Sequence, residues 1–148
     1  PPVFGLRIGY IPPAAGKEYD YDFQPGIGLV VRKLFAKPRI GFDVGLDYAT
    51  SETEGGEGTV RIFSLRGAGE YFPFENLDAY VALGFRLARE NVKDELNNRD
   101  DVGTGGSLDV AVGWTFWRRR MDARAGYAFI PGGENVKGVA IVDFAIYF

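Results

Sequence analysis

The chain has no cysteine and no histidine. Without cysteine no disulfide can staple it, and no thiolate can serve as nucleophile or metal ligand. Without histidine it lacks the commonest catalytic base and the imidazole most used to bind metals. No stretch approaches the roughly 18 consecutive apolar residues of a transmembrane helix. The longest apolar runs are short, as in Ile27, Gly28, Leu29, Val30 and Val31. There is no basic excess, since the net charge is −3, and that argues against nucleic acid as a partner. A signal-peptide pattern is also missing, and the start at Pro1-Pro2 reads as that of a mature or trimmed chain. The 148 residues suit one domain, 1–148.

Three features are abundant instead. Glycine is frequent at 21 residues, aromatics reach 15%, and arginine far outnumbers lysine. The glycines are interleaved with apolar residues in regular segments, which separates them from the glycine of a disordered tail. Alternation with period two, the mark of a strand with two unlike faces, recurs along the chain. It predicts eight strands at 3–10, 25–35, 39–49, 59–72, 75–89, 106–117, 119–130 and 138–148. Most are long enough to cross a bilayer when tilted, which takes about 9–11 residues. They exceed the mode of about 5–6 for strands in soluble sheets. Almost nothing remains for helices.

The connections alternate between long and tight. Residues 11–24, 50–58, 90–105 and 131–137 read as loops, while 36–38, Pro73-Phe74 and Arg118 mark tight turns. Acidic residues gather in the loops: Glu18, Asp20 and Asp22; Glu52, Glu54 and Glu57; Asp94, Glu95, Asp100 and Asp101. The tight turns are basic, with Lys33, Lys37 and Arg39 at one and Arg118, Arg119 and Arg120 at another. Such a rhythm fits an up-and-down barrel with one elaborated rim, and outer-membrane barrels have short periplasmic turns and long extracellular loops. Both termini would then be periplasmic.

The two faces differ in a way that decides which side looks inward. One carries large apolar side chains: Leu6 and Ile8; Leu29; Phe42, Val44 and Leu46; Val81, Leu83 and Phe85; Val110, Val112 and Trp114; Phe144 and Ile146. The other mixes Gly, Ala and Ser with charge: Arg7, Arg32, Arg66, Arg86 and Arg124 against Asp43, Asp47, Glu70, Asp78, Asp109, Asp122 and Asp143. The apolar set would overfill the interior of an eight-stranded barrel, which is only wide enough for side chains to fill. The small-and-charged set suits that interior, because a glycine beside an arginine makes room for it. The expectation is therefore an all-β, eight-stranded antiparallel transmembrane barrel with its apolar face toward lipid and an ion-pair network plugging its lumen. Lys33 falls on the lipid face at a turn, where its long stem can reach the interface. In the fourth segment Val60 and Ile62 fall on the wrong face and Arg61 points out, which a β-bulge near Phe63 would repair. Two aromatic girdles are expected. Phe4, Tyr71, Phe72, Phe74, Trp114, Phe116, Trp117 and Phe148 would line the turn side, and Tyr10, Tyr48, Tyr127 and Phe129 the loop side.

Residues 3–10 (VFGLRIGY), residues 77–85 (LDAYVALGF) and the ending at Phe144, Ile146 and Phe148 together resemble the OmpX and OmpA-type family of small outer-membrane β-barrels. The resemblance spans the whole chain. It implies a multi-pass protein of the bacterial outer membrane, monomeric, bathed in outer-membrane lipid. Phe144, Ile146 and Phe148 would be its assembly signal, read by the barrel assembly machinery. The function it implies is non-enzymatic: envelope structure, or interaction with a surface ligand through the loops. The alternative is a small channel or lipid- or ligand-binding barrel, and a soluble barrel with its apolar face inside is a further rival.

Nothing in the sequence builds a catalytic centre. Ser51, Ser64 and Ser107 have no histidine to activate them. Asp43 and Asp47, four apart on one face, are carboxylates for arginine pairing rather than an acid–base pair. The acids at Asp94, Glu95, Asp100 and Asp101 lack EF-hand spacing, so no metal site is expected. Gly103 to Gly106 is no phosphate loop, since no Lys-Ser/Thr follows. The Arg118–Arg120 run beside Trp117 suits phosphate headgroups better than nucleic acid. No cofactor is expected.

Overall fold

A computed structural model describes residues 2–10, 25–37, 39–52, 58–94, 99–131 and 138–148. Eight strands follow one another: β1 (Val3–Tyr10), β2 (Pro25–Leu34), β3 (Ile40–Glu52), β4 (Gly58–Tyr71), β5 (Ala79–Asp94), β6 (Arg99–Phe116), β7 (Met121–Phe129) and β8 (Gly138–Tyr147). Each pairs antiparallel with its sequence neighbours, and β1 pairs with β8 to close the barrel. Closure leaves no edge strand with unpaired backbone groups. No helix occurs among the described residues. Fold class and strand count are those expected from the alternation.

The strand limits depart from expectation where polarity was read as loop. Residues 90–94 and 99–105 belong to β5 and β6, whose ladder runs to the pair Asp94↔Arg99. Residues 50–52 and 58 likewise extend β3 and β4. Apolar alternation stops there while the hydrogen-bonded ladder continues, because backbone pairing does not depend on which side chains face out. Residues 11–24, 53–57, 95–98 and 132–137, which fall within the segments expected to be loops, lie outside the described residues.

The expected bulge near Phe63 is absent. The β3–β4 register runs without a slip from Ile40↔Tyr71 to Glu52↔Thr59, and β4–β5 is equally regular. Arg61 therefore points outward and Ile62 is buried inside, in register with Ala49. An outward arginine so near the strand end sits past the apolar belt, so no bulge has to rescue it.

The turns at the other end are broader than expected. Residues 72–78, rather than Pro73-Phe74 alone, join β4 to β5. Phe72 is not part of an outward girdle: it is buried and packs on Tyr80 with ring centroids 5.1 Å apart. Between β6 and β7, Trp117, Arg118 and Arg119 all take positive φ of 48°, 55° and 64°. That region costs an L-residue roughly 1–2 kcal/mol. The turn is tied by Arg120 N donating to Trp117 O at 3.1 Å and by Tyr147 N donating to Arg120 O at 2.7 Å.

The remaining aromatics expected to ring the turn end point out. Phe4, Tyr71, Phe74, Trp114, Trp117 and Phe148 are exposed, and Phe116 is half-buried. Near the other end Tyr10, Tyr127 and Phe129 are exposed, and Tyr48 is half-covered by Phe63. Lys33 is exposed with its Nζ over the Phe35 ring at 5.0 Å.

Candidate functional site

The interior is the candidate site, because there the chain buries its charge. Arg7, Arg32, Arg66, Arg86 and Arg124 point inward with Asp43, Asp47, Glu70, Glu90, Asp109, Asp122 and Asp143, and none exceeds 7% exposure. Period-two geometry puts them there: Arg86, Ala88 and Glu90 alternate with outward Phe85, Leu87 and Arg89 along one strand. Small residues make the room. A Cβ at Gly45 would lie against the Arg7 guanidinium, and one at Gly113 would collide with the Tyr80 ring.

Three levels can be distinguished. Nearest the turns, Arg32 grips Glu70 through Nε at 3.0 Å and Nη2 at 2.7 Å, and reaches Asp122 at 3.3 Å. Its guanidinium lies 5.2 Å from the Tyr80 ring centroid and 5.4 Å from that of Tyr147, a cation–π arrangement. Asp122 accepts further hydrogen bonds from the Tyr80 hydroxyl at 2.7 Å and from Thr115 at 3.0 Å. Arg124 donates to the Tyr80 oxygen at 3.0 Å and to both Asp43 and Glu70 at 2.7 Å. At mid-height Arg7 takes Asp47 in a two-pronged pair at 3.1 and 2.7 Å, while its Nη1 lies 3.8 Å from Asp43. Arg66 donates to Asp143. Toward the loop end the contacts loosen: Arg86 is 3.9 Å from Asp109, which accepts from Ser107 at 3.3 Å.

One residue counted with the interior lies elsewhere. Asp78 precedes β5, is partly exposed, and accepts from Arg39 at 3.2 Å. Arg119 stands 3.5 Å from the same oxygen. Asp78 thus ties two turns across the barrel end. Parity alone had extended β5 back to it. Glu90, Tyr80, Thr115 and Tyr147 contribute to the interior without having been singled out as site residues. The polarity of residues 90–105 hides Glu90 among expected loop residues, although its place two residues beyond Ala88 carries the inward parity.

On the outer face, Leu6, Ile8, Leu29, Phe42, Val44, Leu46, Val81, Leu83, Phe85, Val110, Val112, Trp114 and Ile146 are exposed. Phe144 shares that face but is half-covered, its ring centroid 6.2 Å from that of Phe116. Phe148 is exposed, and its N–H donates to Phe4 O at 2.9 Å.

The arrangement offers little for chemistry. Ser107 hydrogen-bonds a carboxylate, and Asp43 and Asp47 face Arg7 between them. Among the described residues no three acidic groups converge as metal ligands. Of the acids Asp94, Glu95, Asp100 and Asp101, Glu95 lies outside the described residues and the rest belong to β5 and β6.

No family model and no curated protein sequence matches the chain. Solved structures do. The N-terminal β-barrel domain of Pseudomonas aeruginosa OprF is similar over 99% of this chain and 97% of that one, with a TM-score of 0.58 at 14% identity. Ail, the attachment invasion locus protein of Yersinia pestis, is similar over 99% and 95%, with a TM-score of 0.57 at 15% identity. Neisserial surface protein A is similar over 99% and 97%, with a TM-score of 0.50 at 15% identity. The agreement is in the course of the backbone over nearly the whole of each chain, and the chain has the fold of the small eight-stranded outer-membrane β-barrels.

Proposed function

We propose that this chain is a non-enzymatic integral protein of a bacterial outer membrane, its barrel an anchor and its interior closed to flow. The observation that carries this is the inside-out distribution of polarity. Leu29, Leu46, Leu83 and Val112 are each more than 60% exposed, whereas Arg32, Arg66 and Arg86 are at most 2% exposed. In water this would leave a continuous apolar belt unsatisfied, far larger than the patches monomeric soluble proteins tolerate. In a bilayer the same belt meets hydrocarbon and the ionised groups meet one another. Barrels of similar fold belong to outer membranes, which supports the same placement.

The pairing supports a plugged lumen: side chains that hold each other across the bore would leave no continuous aqueous path. Function then falls to the surface. The acidic connecting segments would face outward and serve envelope structure or contact with a surface ligand. Phe144, Ile146 and Phe148 would be read by the assembly machinery, and the barrel would sit as a monomer among outer-membrane lipids. Refolding into lipid vesicles tests the placement. Leu83→Arg and Val110→Arg should each destabilise the folded barrel by roughly 2–4 kcal/mol at mid-bilayer, measured by urea unfolding in those vesicles. Normal folding of both variants would refute the orientation. Planar-bilayer recording tests the plug: the protein should add no conductance above leak, and discrete openings would favour the channel alternative.

A further inference from the structure

Leu6, Leu29, Leu46, Leu65 and Leu87 are exposed and stand in one register row across β1–β5. The next outward row toward the loop end runs from Ile27 through Tyr48 and Phe63 to Arg89 and Thr104. Both rows line an apolar groove of about 690 Å³ on the outer face, within the roughly 300–1,000 Å³ of ligand clefts. Arg89 and Thr104, opposite each other on β5 and β6 and both exposed, line its charged end. An outward arginine is costly at mid-bilayer and nearly free at the interface. Arg89 therefore marks where the groove meets the headgroups. Arg61 is exposed diagonally across β4–β5 from Arg89, and such neighbours stand about 7–8 Å apart, within reach of long side chains. Among the described residues neither guanidinium has a carboxylate partner. The acidic positions of matching parity, Glu52 and Asp100, fall further toward the loops, and Asp100 stands opposite Lys93.

We propose that Arg89, Thr104 and Arg61 hold the phosphate of a membrane lipid whose acyl chain lies in the groove. The inference rests on the outer-membrane placement proposed above. Charge complementarity selects the occupant. Hydrocarbon alone would fill the groove and leave the two cations unanswered. A second copy of the barrel docked by the same face would bring its own arginines against these. A phosphate offers several oxygens to the planar guanidinium fork, and arginine matches that geometry better than lysine. The Thr104 hydroxyl can donate one bond more. One molecule thus satisfies both ends of the groove, its chain along the leucines and its anion at Arg89.

Native mass spectrometry of the barrel, refolded in phosphatidylcholine vesicles containing phosphatidic acid and released from micelles, tests this. A single retained phosphatidic acid per barrel is expected. Retention should fall several-fold in Arg89→Gln and less in Arg61→Gln. It should also fall in Leu65→Trp, which fills the groove and keeps both arginines. Arg118→Gln, at the opposite rim, should retain the lipid as the wild type does. Should a variant not fold, the wild type still decides by competition against oleate and glycerol phosphate. Equal retention of oleate would reduce the effect to surface charge and overturn the site. Equal binding of glycerol phosphate would overturn the lipid as its source. Lipid-free dimers, or unchanged retention in Arg89→Gln or Leu65→Trp, would overturn it too. These failures are distinct from failure of the placement, which normal folding of Leu83→Arg and Val110→Arg would show.

Discussion

Arg124, in the half of the lumen nearest the turns, has two carboxylates and a phenol within 3.0 Å, whereas Arg86, toward the loop end, has one carboxylate at 3.9 Å. Both are buried and both face the bore. The turn half is a shared network: Glu70 serves Arg32 and Arg124, Asp122 serves Arg32, Tyr80 and Thr115, and Phe72 closes it from below. Toward the loop end, Arg86 and Asp109 stand 3.9 Å apart and Ser107 donates to Asp109 at 3.3 Å. A buried charge stabilises only when its partners are complete, so burial alone does not rank these residues. The turn half should be the rigid plug, and the loop half the softer one.

Substitutions at matched positions can break that contrast. The largest effect is expected for Arg124→Leu, which takes a 2.7 Å partner from both Asp43 and Glu70, leaving Glu70 with Arg32 alone, and should cost about 3–5 kcal/mol, read by urea unfolding in micelles. Arg86→Leu removes a weakly paired cation together with two unpartnered donors and should cost less, about 1–3 kcal/mol. Equal losses in the two variants would erase the distinction between the halves. Smaller effects sharpen it. Thr115→Val deletes the 3.0 Å bond to Asp122 and should cost about 1 kcal/mol, while Ser107→Ala, losing a 3.3 Å bond to Asp109, should cost a few tenths, roughly 0.5 kcal/mol at most. Hydrogen exchange of the inward-row amides checks the same order, with slower exchange expected around Asp122 than around Asp109.

The alternation made the barrel legible because side-chain parity in a strand is rigid: once Leu83 faces out, Ala82 and Gly84 must face in. The outward and inward sets could therefore be read residue by residue. Parity fails at the ends of strands. Asp78 has the parity of an inward residue, but the chain has already left the ladder there, and the carboxylate ties Arg39 and Arg119 instead. Phe72 fails the other way, an aromatic that looked like part of the rim but turns into the bore. Ile62 and Arg61 looked like a register error and were not one. Their positions reflect where the apolar belt stops, a height that no local pattern states.

From its sequence alone this chain was determined to be an eight-stranded barrel with greasy and charged faces opposed, since period two and residue size are properties of single strands. Which arginine holds which carboxylate was decided only on closure. Arg32 and Asp122 are separated by 90 positions, and Arg66 and Asp143 by 77. They meet because the barrel curls strands that are not neighbours to opposite walls of one narrow bore. The partner of a charge pointing across a bore depends on curvature and stagger, which belong to the closed sheet and to no segment of it.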